Sequence, residues 1–134
     1  SEIRQEVVYG LDSRSRIDLL LYPSKSNSDK RKIYVEVKNT TWTQGLLALF
    51  PDTITKRGQK HLHELMHVIP KDKAILIPCI ARNDATSFAP GDEADKDYGT
   101  LFRKSLEKGV QVIPCSFGFY QESITWEGTR TLNL

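Results

Sequence analysis

The sequence predicts one mixed α/β domain, and three observations support this prediction. With 134 residues the chain is long enough to bury a single hydrophobic core. Strand-like patterns come first, and two helical patterns then alternate with apolar, strand-like runs. Hydrophobic residues make up 39% and charged residues 27% of the chain, which is ordinary for a globular protein. The predicted element order is β-β-β-α-β-α-β-β over a single domain, residues 1–134.

Three strands open the chain. Strand-like patterns cover Ile3 to Tyr9, Ser15 to Tyr22 and Lys32 to Asn39. The turn GLDSR separates the first two, and the polar stretch PSKSNSDKR separates the second from the third. Because a single loop joins the second and third strands, we expect them to be antiparallel neighbours.

Two helices follow. Asp52 is a suitable N-cap for a helix that runs to about Ile69, with a proline just after its end. The apolar stripe of this helix consists of Ile54, Gly58, Leu62, Leu65, Met66 and Ile69. The second helix runs from about Glu93 to Lys108, and Gly109 stops it.

Apolar runs after each helix predict the remaining strands. Lys73 to Ile80 is typical of a buried strand, in which Pro78 indicates a bulge or an unpaired edge near the end. After the second helix, VQVIPCS predicts another strand, and Ser123 to Gly128 predicts a weak last one.

Charge is distributed unevenly along the chain. The formal net charge is only +2, but positive residues concentrate in KRK (30–32) and KRGQKHLH (56–63). Such stretches either follow a phosphate backbone or form a solvated surface. No apolar run is long enough to cross a membrane, and the first residues do not resemble a signal peptide, so we expect a cytoplasmic protein.

The stretch YVEVKNTTW carries the first candidate site. Strand side chains alternate, so Glu36 and Lys38 share one face while Val35 and Val37 are expected to pack on the other. If the second and third strands pair, Asp18 lies beside Glu36. Two carboxylates with a carbonyl and water suit a hard cation such as Mg²⁺ or Mn²⁺.

In that arrangement Lys38 orients or activates a water and stabilises charge on a phosphate. Asp18, Glu36 and Lys38 would then form a phosphodiesterase site. The alternative is an ordinary Glu–Lys ion pair on an exposed sheet face. The core-like neighbours of Asp18 and Glu36 disfavour that alternative, because an unmet charge is costly in such surroundings.

A second candidate is HELMH, residues 63–67, a formal match to the zinc motif H-E-x-x-H. Helical geometry at about 100° per residue points His63 and His67 away from the apolar stripe, towards solvent. A catalytic zinc also needs a third ligand, and His61 lies upstream on the same helix. A zinc hydrolase is therefore only the third choice.

The same helix offers a third group of candidates. Arg57 and His61 lie four residues apart on one flank of the stripe, where they would reach Glu36 and Lys38 if the helix packs beside the third strand. Lys56, Arg57 and Lys60 form a local cationic cluster suited to phosphate contacts. The alternative is an ordinary polar flank.

The motifs IRQEVVYG…SRIDLLL, YVEVKNTTW, LFPDTITKRGQKHLHELM and GVQVIP occur in this order. With them the chain closely resembles the bacterial sugar fermentation stimulation protein A family over almost its whole length. The resemblance implies a restriction-endonuclease-like, PD-(D/E)xK fold, with a mixed central sheet flanked by helices. It also implies DNA as the partner. HELMH is then the ordinary continuation of the helix signature.

The resemblance also implies roles for single residues. Asp18 and Glu36 match the acidic metal positions and Lys38 matches the motif lysine. Arg57, Gly58 and His61 match the helix signature that follows. The function expected is a DNA-binding, Mg²⁺- or Mn²⁺-dependent nuclease, and the alternative is a non-catalytic DNA-binding regulator of sugar utilisation. Members of the family usually carry an OB-like barrel upstream, which we expect to be absent from this chain.

Overall fold

The computed structural model describes residues 1–134 and contains two sheets and two helices. The first half comprises β1 (Glu2–Tyr9), β2 (Ser15–Tyr22), β3 (Ile33–Thr40), β4 (Trp42–Gln44), β5 (Leu47–Phe50) and α1 (Lys56–Val68). The second half comprises β6 (Lys73–Ile80), β7 (Ser87–Pro90), α2 (Lys96–Lys108), β8 (Gln111–Val112), β9 (Cys115–Tyr120), β10 (Ser123–Thr129) and β11 (Thr131–Leu132). Neither helix is long and apolar enough to span a membrane.

The larger sheet is mixed, as the sequence predicts. Its strand order is β1-β2-β3-β6-β9-β10, with β8 pairing β6 beside β9. The β1–β2 and β2–β3 pairs are antiparallel, whereas β6 runs parallel to β3 on one side and to β8 and β9 on the other. The central strand of this sheet is therefore β6.

The hydrophobic core lies between one face of this sheet and the two helices. Alternate residues of β6, including Leu76 and Ile80, are buried on this face. They belong to one cluster with Leu62 and Leu65 of α1 and Phe102 of α2. Packing on β3 and β6 holds α1 beside the strand that carries the YVEVK stretch.

The smaller sheet was not predicted from the sequence. Its four strands, in the order β11-β7-β5-β4, occupy stretches expected to be loops. None exceeds four residues, so none shows a readable alternation, and β5 pairs in parallel with β7 far along the chain. Only tertiary packing creates this sheet.

Both helices begin later than predicted. The N-cap of α1 is Thr55, whose hydroxyl accepts a hydrogen bond from the Gly58 amide at 3.0 Å, so the prediction that Asp52 caps this helix was wrong. Ile54 precedes the helix and is 66% exposed, hence it does not belong to the buried stripe. The helix α2 starts at Lys96 and ends, as predicted, at Gly109, which has φ +105°.

The sequence predicts a bulge or an unpaired edge at Pro78, and this residue lies in the central strand but is unpaired on one side. It pairs in register with Lys38 of β3. On the other side, the pairing of β6 with β8 ends at Leu76 and the pairing with β9 begins at Cys79. The missing N–H of proline therefore falls at the gap between two short neighbouring strands.

A single carboxylate joins the starts of the two helices. Asp95, 4% exposed, caps α2 by accepting a hydrogen bond from the Tyr98 amide at 3.0 Å. It also accepts one from the amide of Thr55 at 2.9 Å and one from the side chain of Gln59. Replacement would leave the buried Tyr98 amide and two partly buried donors unpaired.

We expect Asp95→Ala to lower the free energy of unfolding by about 3 kcal/mol, because unpaired buried donors cost roughly 1–3 kcal/mol each. Urea denaturation measures this change. The control is Asp52→Ala, an exposed carboxylate just before α1, which should change stability by less than about 0.5 kcal/mol. Equal effects of the two substitutions would contradict the role given to Asp95.

Candidate metal and phosphodiester site

The strand pairing of the large sheet is interrupted at Asp18. Pairing between β2 and β3 stops at Leu19, which lies opposite Val35. On the other side, β1 pairs with β2 before and after Glu6, the residue opposite Asp18 in register. Glu6 itself has φ +53°, a conformation that distorts the strand locally. Asp18 thus lies where the β2–β3 ladder ends and the β1–β2 ladder is interrupted.

The Asp18 side chain replaces the missing contact to β3. Its Oδ2 accepts a hydrogen bond from the Val37 amide at 2.7 Å. One more step of the β2–β3 register places Asp18 opposite Glu36, as the sequence predicts. Val37 is 37% exposed, whereas it was expected to pack in the core, because β2 no longer covers β3 at this point.

Glu36, Lys38 and His61 form a compact charged triangle. Glu36 Oε1 lies 2.9 Å from His61 Nδ1 and 3.1 Å from Lys38 Nζ, and the two nitrogens are 2.8 Å apart. Glu36 is only 3% and His61 only 5% exposed. Nδ1 either donates to Glu36 or accepts from Lys38, depending on the tautomer. With Nδ1 as the donor, one ring nitrogen links the buried carboxylate of Glu36 to α1.

The surroundings keep Glu36 ionised. Burial alone raises the pKa of this carboxyl, but the His61 hydrogen bond and the Lys38 charge outweigh burial and hold its pKa below the usual value. Glu36 and Lys38 therefore do not form the exposed ion pair that was the alternative from the sequence, because α1 covers them.

The two carboxylates have the properties of ligands for a hard cation. Glu36 Oε2 is buried and has no hydrogen-bond partner, although its other oxygen has two. An unpartnered buried oxygen is costly unless a cation or water occupies the adjacent space. No group of three or more His, Cys, Asp or Glu side chains converges as a metal site, so Asp18 and Glu36 would leave the remaining positions to carbonyl oxygens and water.

Glu64 and Tyr9 also border this region, and sequence reasoning missed them. Glu64 is 6% exposed, and its Oε1 accepts a hydrogen bond from the hydroxyl of Ser15 at 2.7 Å. Burial, together with the nearby carboxylates of Glu36 and Glu64, raises the pKa of Tyr9. The available signal was the spacing of Glu64 three residues after His61, which places both on one side of α1.

The absence of a side chain at Gly10 lets Glu64 reach this position. A Cβ atom at Gly10 would come within 2.9 Å of Glu64 Oε1, and Gly10 also has φ +94°. Both facts favour glycine in the turn between β1 and β2.

The basic candidates of α1 separate into two groups. His61 reaches the Glu36–Lys38 pair, as the helical flank predicts. Arg57 and Lys56 are exposed and form no ion pair with Glu36. Lys60 is also exposed, and its Nζ lies 3.2 Å from Asp12 and 3.7 Å from Glu64.

The HELMH histidines point away from this site. His63 and His67 are exposed, as the helical geometry predicts, whereas Glu64 between them is buried. The glutamate of the motif therefore faces β2, on a different side of the helix from the histidines. This geometry does not match a zinc site in which all three residues act together.

Residues 1–123 match the family model described as the sugar fermentation stimulation protein RE domain, SfsA. The chain belongs to the sugar fermentation stimulation protein family. A relative from Prochlorococcus marinus strain NATL1A, described as a sugar fermentation stimulation protein homolog, is 66% identical over 132 residues. The match covers 98% of the chain and 52% of that homolog. A homolog from Synechococcus sp. strain CC9902 is 61% identical over 132 residues, covering 98% of the chain and 53% of the homolog.

The fold also resembles that of a member of this family. A solved structure of Pyrococcus furiosus SfsA, described as a complex with Ca²⁺, matches 98% of the chain with a TM-score of 0.86 and 26% identity. The match covers 54% of that SfsA chain. The mixed sheet with its helices is therefore the restriction-endonuclease-like fold expected from the sequence, and the chain spans about half the length of the SfsA relatives it matches.

We expect His61→Ala to raise the pKa of Glu36, because burial raises this pKa and the substitution removes a hydrogen bond that, together with the Lys38 charge, outweighs burial. Carbon-detected NMR titration of the Glu36 carboxyl measures this shift. Stability should fall by about 2 kcal/mol at neutral pH, the usual cost of unpairing a buried charged acceptor.

The sign of the pH effect follows from the lowered pKa. Stability from ionised Glu36 is present above its unfolded pKa, about 4.3, and is lost as the pH falls through the folded pKa. In His61→Ala this loss should begin at higher pH. The exposed His63 on the same helix provides the control, and an equal shift in His63→Ala would refute the specific pairing.

Proposed function

We propose that this SfsA domain is a divalent-metal-dependent nuclease that hydrolyses phosphodiester bonds in DNA. The observation that carries the proposal is the buried, unpartnered Oε2 of Glu36, next to the point where the β2–β3 ladder ends at Asp18. The presence of Ca²⁺ in the complex of Pyrococcus furiosus SfsA supports it, since Ca²⁺ and Mg²⁺ both take oxygen ligands.

Asp18 and Glu36 hold the metal ion, Mg²⁺ or Mn²⁺. When bound, such an ion polarises the phosphate and lowers the pKa of a coordinated water. The two carboxylates are held in place to different degrees. Glu36 is fixed by His61 and Lys38, whereas Asp18 has only one oxygen committed, to the Val37 amide.

Lys38 acts on the phosphate. Its ammonium group lies beside the proposed metal ligand Glu36, on the same face of β3, where it stabilises the negative charge that develops on the phosphate oxygens. His61 is a positioning residue, because its ring contacts Glu36 and Lys38 and limits the rotamers of both. Lys56, Arg57 and Lys60 supply phosphate contacts next to this site.

The first test is metal binding. Asp18→Asn should abolish Mn²⁺ binding measured by calorimetry, because an amide is a poor ligand for this ion. The amide oxygen still accepts the hydrogen bond from Val37, so the melting temperature should change little. The control is Asp84→Asn, an exposed carboxylate paired with Arg82. Unchanged Mn²⁺ affinity in Asp18→Asn would remove the proposed metal site.

The second test is Lys38→Met, which keeps the length of the side chain but removes the charge. We expect cleavage of plasmid and linear DNA with Mg²⁺ or Mn²⁺ to fall at least 100-fold, the usual loss on removing a group that stabilises transition-state charge. Mn²⁺ binding should remain.

Normal cleavage by Lys38→Met would give Lys38 a structural role only. If the wild-type domain binds DNA with Ca²⁺ but cuts no substrate with any metal in the panel, the alternative is correct. The domain is then a non-catalytic DNA-binding module.

A further inference from the structure

The largest groove of the domain lies on the outer side of α1. It has a volume of about 730 Å³ and is bordered by α1, α2 and the turn between β1 and β2. His63 and His67, the two histidines that the zinc motif singled out, line this groove. The groove is separate from the Glu36–Lys38 pair, which faces the inner side of α1.

The groove concentrates positive charge. Its lining includes four lysines, Lys56 and Lys60 from α1 and Lys104 and Lys108 from α2. Opposing them are only Asp12 and Glu64, so four positive and two negative side chains give a formal charge of +2 with neutral histidines. The whole chain also has a formal charge of +2. The rest of the molecule is therefore neutral in sum.

The arrangement of these lysines is linear. Lys56 and Lys60 lie one turn apart on α1, and Lys104 and Lys108 lie one turn apart on α2, about 6 Å along each helix. All four are exposed. Rows of exposed cations along a groove fit an extended chain of negative charges better than a compact anion.

The groove adjoins the candidate site at one end. Lys60 lies in the groove and approaches Glu64, and Glu64 in turn bonds Ser15, three residues before Asp18. A strand of nucleic acid that leaves the site across the β1–β2 turn therefore meets the groove directly.

We infer that the groove between α1 and α2 binds the phosphate backbone of DNA beyond the cleavage site. This inference rests on the proposed function, because it takes the DNA at Asp18 and Glu36 as the starting point. Lys104 and Lys108 contact phosphates of the flanking segment, and His63 and His67 add ring N–H donors to the same path. The HELMH segment thus belongs to a DNA-contact surface.

The test measures the salt dependence of DNA binding. Fluorescence anisotropy of a labelled duplex with Ca²⁺, which supports binding without turnover, is recorded over a salt series for the wild type and for Lys104→Ala/Lys108→Ala. Each lost phosphate contact lowers the slope of log affinity against log salt by about 0.9. The double variant should therefore lose about two units of slope.

A matched control removes the same charge elsewhere. Lys25→Ala/Lys30→Ala lowers the net charge by the same amount in the exposed loop between β2 and β3, at the other end of these strands from the β1–β2 turn. Neither residue lines the groove. This control should keep the wild-type slope.

The length of the duplex locates the contact. The 13 residues of α1 extend about 20 Å, or roughly six base pairs. The difference between the wild type and Lys104→Ala/Lys108→Ala should appear with a duplex of about 16 base pairs and vanish with one of about eight, which covers only the site.

The outcomes separate the two proposals. A wild-type domain that binds no duplex at low salt refutes the DNA-directed function itself. A wild-type domain that binds, with an unchanged slope in Lys104→Ala/Lys108→Ala, leaves the function standing and refutes the groove. Equal losses in this variant and the control, or equal losses on both duplex lengths, would show general charge attraction and also refute the groove.

Discussion

The buried carboxylate of Glu36 constrains the whole site. An isolated charge at 3% exposure is expensive, so the fold must bring a donor and a cation to it. Lys38 supplies the cation from the same strand. His61 can supply the donor only if α1 packs with its His61 side on β3. This contact, together with the packing of Leu62 and Leu65 in the core, determines which side of α1 faces β3.

The catalytic candidates could be predicted because their spacing is local. Alternation along β3 gave Glu36 and Lys38 a shared face, and the antiparallel β2–β3 pair brought Asp18 to them. The smaller sheet could not be predicted, since its strands are too short to show a period and pair across long stretches of chain. Asp52 and Thr55 are both good N-caps. The amide of Thr55 donates a hydrogen bond to Asp95, 40 residues further along the chain, and the sequence does not reveal this contact.

Glu64 illustrates a different limit of sequence reasoning. Within HELMH it resembles a catalytic base between two zinc ligands, and a helical projection alone correctly directs the histidines to solvent. The same projection does not reveal that Gly10 leaves room for the glutamate against β2. A linear motif therefore joined two exposed histidines to a buried glutamate whose hydrogen bond goes to β2.

The bond from the Val37 amide to Asp18 has a consequence for how such domains diverge. Past Leu19 the β2–β3 ladder is absent, and the Asp18 side chain supplies the next connection between the two strands. Selection for this strand contact alone would keep a hydrogen-bond acceptor there, whether or not the residue also holds a metal ion. An aspartate at this position in a diverged relative is consequently weak evidence for enzymatic activity, whereas Oε2 of Glu36 takes no part in the contacts with His61 and Lys38 that hold α1 on β3.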